Sequence, residues 1–477
     1  MPRFPNFVGP SYTSQSRIAD GERCVNWFPE PVESAGGKAA WVLYPTPGLD
    51  LVCTLADAPV RGLWSQNGRT LAVGGAHLYE LDRAFAVTSR GSGLATRENR
   101  PVTFSSNGDG GHQVFFTAGG RGYLYDLIAN TLTQVLDSAS QGGFIDGFFV
   151  ALDPQTSTLL VSDLENGLVW DPLQIAQRNS SADRWAALLV VHKEIWLFGS
   201  EKTDVYYNAG ASPFPFLPNP SVQIAQGIGA PSSAAVLDGA PIWLGQSADG
   251  DRVVYRANGY APQRVSTYAV EYALSTYATV SDAEGWTYQE QGHNFYVLTF
   301  PSADATWVYD AGTGAWHERG AWDGHAFTAL PVGGHAFANG VHLVGDRVSG
   351  KIYRMGTDLA SDGGGRTLRR LRRAPHLGNE GGRVTFSSFQ LDLEMGLGLS
   401  SGQGSDPQVM LRWSDDGGQT WGNEHWVSAG RQGSYKARAI WRRLGQTRDR
   451  VFEVSTSDPI PWRVIDAYLQ IRPGAVR

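Results

Sequence analysis

The strongest constraint on the fold is a hairpin that recurs seven times between residues 70 and 355. Each copy has a short apolar strand, a polar or glycine turn, and a second strand that carries an aromatic residue. The hairpins are 70–81, 112–127, 158–172, 194–208, 241–259, 294–314 and 340–355. Their second-strand aromatics are Tyr79, Tyr125, Trp170, Tyr206, Tyr255, Tyr309 and Tyr353. These residues are 36 to 54 positions apart, and a period of about 40–50 residues built from strands is typical of propeller blades.

A single hairpin cannot bury both of its faces, whereas four-stranded units arranged around an axis bury each sheet against its neighbours. Further strand-like runs between the hairpins can supply the remaining strands, at 142–152, 184–191, 232–237 and 325–332. We therefore predict an all-β fold with a β-propeller of six or seven blades over residues 55–356. A pair of β-sandwiches is the alternative. Seven hairpins do not fix the blade number, because one can belong to a flanking domain or the ring can close with a strand from each end.

The two ends of the chain differ from this repeat. Residues 1–54 are rich in proline and aromatics, and we predict an extended N-terminal arm that packs on the C-terminal domain. Residues 357–382 combine glycines with arginines, and we predict a basic linker. Residues 383–477 contain longer strand-like segments with alternation of apolar and polar residues, as at 389–394. We predict a β-sandwich-like domain there, used for docking and oligomerisation.

Charge is distributed unevenly along the chain, whose formal net charge is -7. Residues 360–477 hold 17 Lys+Arg and 12 Asp+Glu, so the remainder is strongly acidic. An acidic body does not look like a phosphate-binding surface, because neutralised phosphates supply most non-specific affinity for nucleic acid.

Cys24 and Cys53 form no metal or disulfide motif. The sequence shows neither a signal peptide nor a run approaching the roughly 20 apolar residues that span a bilayer, and we predict a soluble protein made in a reducing compartment.

Residues 414–421 match the Asp-box pattern S-x-D-x-G-x-T-W that occurs in sialidases and other propellers. In such a turn the carboxylate and hydroxyl groups cap backbone donors, and the tryptophan packs beneath. We predict a structural turn formed by Ser414, Asp416, Gly418, Thr420 and Trp421. The alternative is a glycosidase, which needs two positioned carboxylates, and the sequence singles out no such pair.

A run of arginines is the sharpest electrostatic feature: Arg366, Arg369, Arg370, Arg372 and Arg373. The planar guanidinium suits phosphate or carboxylate groups. We predict that the run contacts a neighbouring subunit or a partner. A solvated linker and direct contact with nucleic acid are the alternatives, although no motif for reading DNA bases is visible.

The histidines include His317, His325, His335 and His342, and none has the spacing of an HExxH or comparable metal site. No G-x-S-x-G nucleophile elbow is present either. We therefore predict no catalytic, cofactor-binding or metal-binding residues, and a protein that is not an enzyme.

Several short motifs follow one another in an order that resembles a known family. They are NWFPE at 26–30, LYPTPGL at 43–49, WLFGSEKTDVYY at 196–207, QGIG at 226–229, AGTGAW at 311–316, WSDDG at 413–417, WRRLGQ at 441–446 and a closing strand at 465–472. Together they are similar to the packaged-DNA stabilisation proteins of short-tailed bacteriophages, which are also called tail hub or nozzle proteins.

This resemblance implies a structural subunit of the virion tail that is assembled in the bacterial cytoplasm. Six copies would form a ring below the portal and adaptor, extend the DNA channel, retain the packaged genome and conduct it during ejection. The implied partners are further copies, a head–tail adaptor, a tail fibre or tailspike, double-stranded DNA passing without sequence recognition, and the host envelope. A carbohydrate-binding or sialidase-like propeller is the alternative function. A propeller interaction scaffold is a third, weakened by the absence of WD and kelch signatures.

Overall fold

A computed structural model describes residues 1–96, 101–178, 182–246, 250, 252–379 and 381–473. Within these residues, seven antiparallel units of four or five strands follow one another as the blades of a propeller. Two further layers of strands pack as a sandwich, and one of these layers is continuous with blade 6. The first strand of blade 7 contacts the first strand of blade 1, so the ring is closed. The structure confirms the predicted all-β fold, with a β-propeller followed by a β-sandwich.

Blades 1 to 4 each contain four strands in sequence order, beginning at the propeller axis. Blade 1 comprises Val60–Gln66, Arg69–Gly74, His77–Leu81 and Val87–Ser92. Blade 2 comprises Thr103–Ser106, Gln113–Ala118, Arg121–Asp126 and Thr131–Leu136. Blade 3 comprises Gln141–Ile145, Phe148–Asp153, Thr158–Asp163 and Asn166–Gln177. Blade 4 comprises Trp185–Val191, Glu194–Gly199, Thr203–Asn208 and Phe216–Pro218.

The later blades are less regular. Blade 5 comprises Gly227–Ile228, Ala235–Leu237, Ala240–Gln246, Val253–Asn258 and Ala261–Arg264, and the 3-10 helix Pro231–Ser233 separates its first two strands. Blade 6 comprises Glu284–Glu290, His293–Phe300, Ala305–Asp310 and Trp316–Glu318. Blade 7 comprises Val332–Ala338, Val341–Asp346, Lys351–Gly356 and Gly48–Thr54. The α-helices are Gly108–Gly111 and Tyr268–Thr276, and Ala321–Trp322 pairs with Phe327–Thr328 as a short hairpin.

The outer strand of blade 7 comes from the N-terminal part of the chain. Gly48–Thr54 pairs antiparallel with Lys351–Gly356, so strands from both ends close the ring. The structure therefore differs from the predicted arm boundary at residue 54, since the arm ends before Gly48. The pattern of one strand does not reveal which distant strand it pairs with, so the sequence alone does not locate this boundary.

Six of the seven recurring aromatics lie on the last strand but one of a blade. Trp170 is the exception, because it lies on the fourth strand of blade 3. The hairpin 158–172 is thus the outer pair of its blade, whereas the other six hairpins are middle pairs. This displacement of one strand explains the short spacing of 36 residues between Trp170 and Tyr206.

The recurring aromatics serve packing between blades. Leu71, Phe116 and Tyr125 are wholly buried in one cluster between blades 1 and 2. Phe115 and Phe149 meet between blades 2 and 3, with ring centroids 5.9 Å apart. Burying a large apolar side chain contributes about 1.5–3 kcal/mol, so the repeat stabilises the ring rather than marking a site.

The sandwich contains two sheets, here called sheets A and B. Sheet A runs in the order Trp27–Pro31, Trp41–Pro45, Val464–Pro473, Val384–Leu393 and Ala439–Arg442. Gln446–Thr447 also pairs with Val384–Leu393. Sheet B runs in the order Gly21–Val25, Arg370–Arg373, Asp449–Thr456, Gln408–Ser414 and His425–Ser428. Tyr12–Thr13 also pairs with Gly21–Val25, and Leu377–Gly378 also pairs with Asp449–Thr456.

The N-terminal residues form part of this sandwich. Phe4, Phe7 and Trp27 are buried in one cluster with Phe389 and Phe452. The predicted linker 357–382 also differs from the structure, because Arg370–Arg373 is an inner strand of sheet B. A run rich in arginine has the composition of a solvent-exposed linker. Here, however, it pairs with Gly21–Val25 on one side and with Asp449–Thr456 on the other, so it is a strand within the sheet.

Candidate functional site at the junction of the two domains

One continuous sheet joins the propeller to the sandwich. Val25 of sheet B pairs in parallel with Glu318, on the outer strand of blade 6. The next residue, Asn26, donates its backbone N–H to the Glu318 carbonyl oxygen over 2.9 Å. Backbone hydrogen bonds therefore connect the two domains and hold them in a fixed relation.

Asn26 ties three segments together at this junction. Its side-chain nitrogen donates to the carbonyl oxygens of Gly320 and Arg369 over 2.8 and 2.7 Å. Its side-chain oxygen accepts from the Gly320 backbone N–H over 3.1 Å. The residue has a φ of 57°, a left-handed conformation that asparagine tolerates better than most residues. One buried side chain thus links the N-terminal segment, blade 6 and the arginine run.

Arg372 fastens the N-terminal segment to sheet B. Its side chain is fully buried, pairs with Glu22, and donates to the carbonyl oxygens of Phe7 and Pro10 over 2.6 and 2.9 Å. Burial raises the pKa of Glu22. The guanidinium therefore acts inside the chain, on the segment that precedes sheet B.

Arg370 is also fully buried, with one nitrogen 3.5 Å from the Leu368 carbonyl oxygen. Burial lowers the pKa of Arg370 to about 9, and burial raises the pKa of nearby Asp362 to about 6. Arg366 donates to the Asp362 carbonyl oxygen over 3.0 Å. Arg370 and Arg372 therefore cannot make the predicted contact with a neighbouring subunit or partner, because strand alternation directs both side chains into the protein interior.

Arg369 and Arg373 keep 14% of their side-chain surface exposed. Arg369 pairs with Glu424 and lies over the Trp322 ring, 4.4 Å from its centre. Arg373 donates to Glu453 over 2.9 Å. The side chains of Arg369 and Arg373 therefore reach solvent in part at the junction.

The arginine run and the Asp box meet at Trp421. The Arg373 guanidinium lies 4.6 Å from the centre of the Trp421 ring, and that of Arg412 lies 5.0 Å from it. Arg412 and Arg373 both donate to Glu453. The tryptophan therefore covers an ion-pair cluster, a contact that sequence reasoning missed because the two motifs are about 40 residues apart.

The Asp-box turn uses its polar groups internally. Ser414 donates to Asp416 over 2.6 Å and accepts from the Gly418 N–H over 2.8 Å. Asp416 also accepts from the Thr420 N–H over 2.9 Å, and Trp421 donates to the Gly418 carbonyl oxygen over 3.2 Å. The hydrogen bonds from Ser414 and Thr420 hold the pKa of Asp416 well below its usual range. This arrangement stabilises a turn.

His293 makes a titratable contact across the junction. Its Nδ1 lies 2.8 Å from Asp310 Oδ2, and its Nε2 lies 3.1 Å from Glu30 Oε2 on sheet A. The hydrogen bond with Asp310, supported by Glu30, raises the pKa of His293. No local pattern could have found this contact, because Glu30 and His293 are 263 positions apart.

The propeller axis holds three cavities in succession. The first cavity, of about 810 Å³, lies at the end of the propeller where the innermost strands of the blades begin. The second cavity, of about 490 Å³, lies where the innermost strands of blades 5 to 7 end. Between them is a waist of about 180 Å³. Its lining includes residues from every blade: Gly62, Val102, Gln141, Ala186, Ser232, Trp286 and His335.

Gln141 bridges across this waist. Its side-chain nitrogen donates to the Pro231 carbonyl oxygen of blade 5 over 2.8 Å, and its oxygen accepts from the Leu188 N–H of blade 4 over 2.6 Å. Because one glutamine side chain reaches from blade 3 to blade 5, the axis is narrower than the major groove of a DNA duplex, which is itself about 12 Å wide. A duplex therefore cannot pass along the propeller axis.

The histidines singled out in the sequence lie mainly in packed surroundings. His335 Nε2 lies 2.8 Å from His342 Nδ1, and burial lowers the pKa of His335 to about 3. Burial likewise lowers the pKa of His317 to about 3, while His325 is exposed.

Across the described ranges, no group of three or more His, Cys, Asp or Glu side chains could hold a metal ion. In the same part of the chain, no helix is both long and apolar enough to cross a bilayer.

These features define a two-domain all-β protein in which a closed propeller and a sandwich share one sheet. Family models for bacteriophage P22 Gp10 match both parts, its β-propeller over residues 21–360 and its β-sandwich over residues 369–472. The chain belongs to this family of bacteriophage structural proteins. No curated protein matched the chain.

The chain also has a weak likeness to several solved structures. The N-terminal domain of Nup159 is 12% identical, with a TM-score of 0.39, over 70% of this chain and 98% of that one. A chain of the mitotic checkpoint complex is 12% identical, with a TM-score of 0.40, over 69% and 98%. The extracellular domain of a one-component system from B. thetaiotaomicron is 10% identical, with a TM-score of 0.43, over 80% and 47%. Scores this low carry no argument about function.

Proposed function

We propose that this protein is a tail subunit of a short-tailed bacteriophage, assembled in the bacterial cytoplasm. Copies form a ring below the portal and adaptor, extend the DNA channel, retain the packaged genome and conduct it during ejection. The observation that carries this proposal is the match of both domains, in order, to the bacteriophage P22 Gp10 family. Membership of a structural family also supports the prediction that the protein is not an enzyme.

The closed propeller axis supports a DNA path between the copies of such a ring. Because the waist is too narrow for a duplex, the conduit lies between copies and is enclosed by their outer surfaces. The chain outside residues 360–477 carries 22 Lys+Arg and 34 Asp+Glu. Such an acidic wall repels phosphates, so the duplex moves along it without being held.

The fixed junction suits a ring, because each copy must present its two contact surfaces at a constant angle for the ring to close. Arg366, Arg369 and Arg373 remain the candidates from the arginine run for contact with a neighbouring copy or the adaptor. A ring of six, and contacts with a tail fibre or tailspike, are further parts of this proposal. The carbohydrate alternative gains no support from the Asp box, whose carboxylate is committed to its own turn.

The test is assembly of the full chain with a head–tail adaptor. Light scattering should give the mass of a closed ring, and electron micrographs should show an opening between copies wide enough for a duplex. A protein that stays monomeric at high concentration with the adaptor present contradicts the proposal. A ring whose only openings are the propeller axes contradicts the assigned DNA path.

A further inference from the structure

Residues 425–448 carry an unusual excess of positive charge. They contain no Asp or Glu and six basic residues: Arg431, Lys436, Arg438, Arg442, Arg443 and Arg448. All six are exposed, and none has an ion-pair or side-chain hydrogen-bond partner among the residues that the structure describes. Several other arginines of the sandwich are paired, for example Arg412 with Glu453 and Arg450 with Asp415. The stretch 425–448 is called the basic edge below.

The topology places the basic edge away from the propeller. His425–Ser428 is the last strand of sheet B, and Ala439–Arg442 is the last strand along the main path of sheet A. The strands at the opposite margins, Gly21–Val25 and Trp27–Pro31, lie where the sandwich meets the propeller. The Trp441 indole donates to the His425 carbonyl oxygen over 2.7 Å and holds the two sheets together at this side. The unpaired cations are thus presented at the far margin of the molecule.

Two large aromatic side chains are exposed within the same stretch. Trp426 is 58% exposed and Tyr435 is 74% exposed. Tryptophan and tyrosine are favoured at the interface between a bilayer and water, whereas basic residues are attracted to the anionic lipids beside it. Both kinds of side chain therefore suit the same surface.

A groove of about 630 Å³ opens beside Tyr435 on sheet A. Lys38, Lys436, Arg438 and Tyr468 contribute to its lining. Asp392 also lines it, but this carboxylate is paired with Lys38. The groove thus offers unneutralised cations, flanked by tyrosine rings, to a phosphate-bearing headgroup.

We propose that the basic edge docks on an anionic lipid surface, with cations binding lipid phosphates and the two aromatic rings entering the interfacial layer. Duplex DNA would engage the cations but not the rings, because its bases are stacked inside the helix. The exposed aromatic pair is therefore what favours lipid over nucleic acid. The proposal is independent of ring assembly, so either can fail alone.

The experiment measures sedimentation of the full chain with phosphatidylcholine vesicles that contain or lack phosphatidylglycerol. Binding is expected only with phosphatidylglycerol, and it should weaken as salt rises. The variant K436E/R438E/R442E should lose about tenfold or more in affinity. The control R83E/R121E/K193E makes the same change in net charge at exposed propeller positions and should bind as the natural chain does.

A second variant separates lipid from nucleic acid. W426S/Y435S should lose vesicle binding while its weak binding to a labelled duplex stays unchanged. Three results would overturn the proposal: no binding to anionic vesicles at low salt, equal binding to neutral vesicles, or preferential binding to duplex DNA that the aromatic variant leaves intact. Thermal unfolding of each variant shows whether the fold is retained.

Discussion

At the scale of single residues, Arg372 shows how a charged side chain becomes part of the interior. A buried cation costs several kcal/mol unless it is paired and hydrogen-bonded. Arg372 meets this requirement through Glu22 and the carbonyl oxygens of Phe7 and Pro10. Its role is to hold the N-terminal segment, whose phenylalanines complete the sandwich core.

We predict that Arg372→Met lowers the free energy of unfolding by about 3–5 kcal/mol, because Glu22 is left buried without its partner. Denaturant unfolding measures this loss. The matched control is Arg442→Met, an exposed arginine on the edge strand of sheet A, which should change stability by about 0.5 kcal/mol or less. Equal effects of the two substitutions would contradict the assigned role.

His293 gives the junction a pH dependence with a definite sign. Its pKa is raised in the folded protein, so its contribution to stability is complete below the unfolded value of about 6.5. The contribution is lost as pH rises through the folded pKa. We predict that His293→Gln removes this part of the pH dependence, as measured by denaturant midpoints on either side of neutrality. His325→Gln, at an exposed histidine, should leave the profile unchanged.

At the scale of elements, the strand Gly48–Thr54 closes the propeller. Leu49 on this strand is fully buried, whereas Leu51 is 44% exposed. We predict that Leu49→Ala costs about 2–5 kcal/mol because it leaves a cavity beside Phe28 and Tyr353. Leu51→Ala should cost about 0.5 kcal/mol or less. Thermal unfolding of both variants tests whether closure depends on this strand, and similar losses would argue against it.

At the scale of the whole molecule, the shared sheet should make the propeller and sandwich unfold together. Asn26→Ala removes three hydrogen bonds and strains a left-handed residue, so we predict a loss of about 3 kcal/mol and two separate transitions. Calorimetry compares the variant with the natural chain, which should show one transition. Asn26→Gly keeps the backbone conformation without strain and should fall between them. Two transitions in the natural chain would show that the domains are not coupled.

Much of the architecture could be predicted from local sequence. Hairpin turns, aromatic strands and their spacing indicate propeller blades, since these signals depend on neighbouring residues. The partner of each strand depends instead on distant packing. For this reason the sequence alone predicts Gly48–Thr54 as part of the arm and Arg370–Arg373 as part of a linker, whereas both are paired strands. The contact between His293 and Glu30 had no sequence signal at all.

Repeated β-hairpins followed by a second β domain can be predicted from the amino-acid sequence alone, because strand alternation and turn chemistry are local properties. The order of its motifs also indicated the family. The packed molecule was needed to show that the two domains share one sheet, that Arg370 and Arg372 are buried, and that Gln141 reaches from blade 3 to blade 5. Those outcomes depend on which distant surfaces meet, and burial is a property of the packed molecule rather than of any segment.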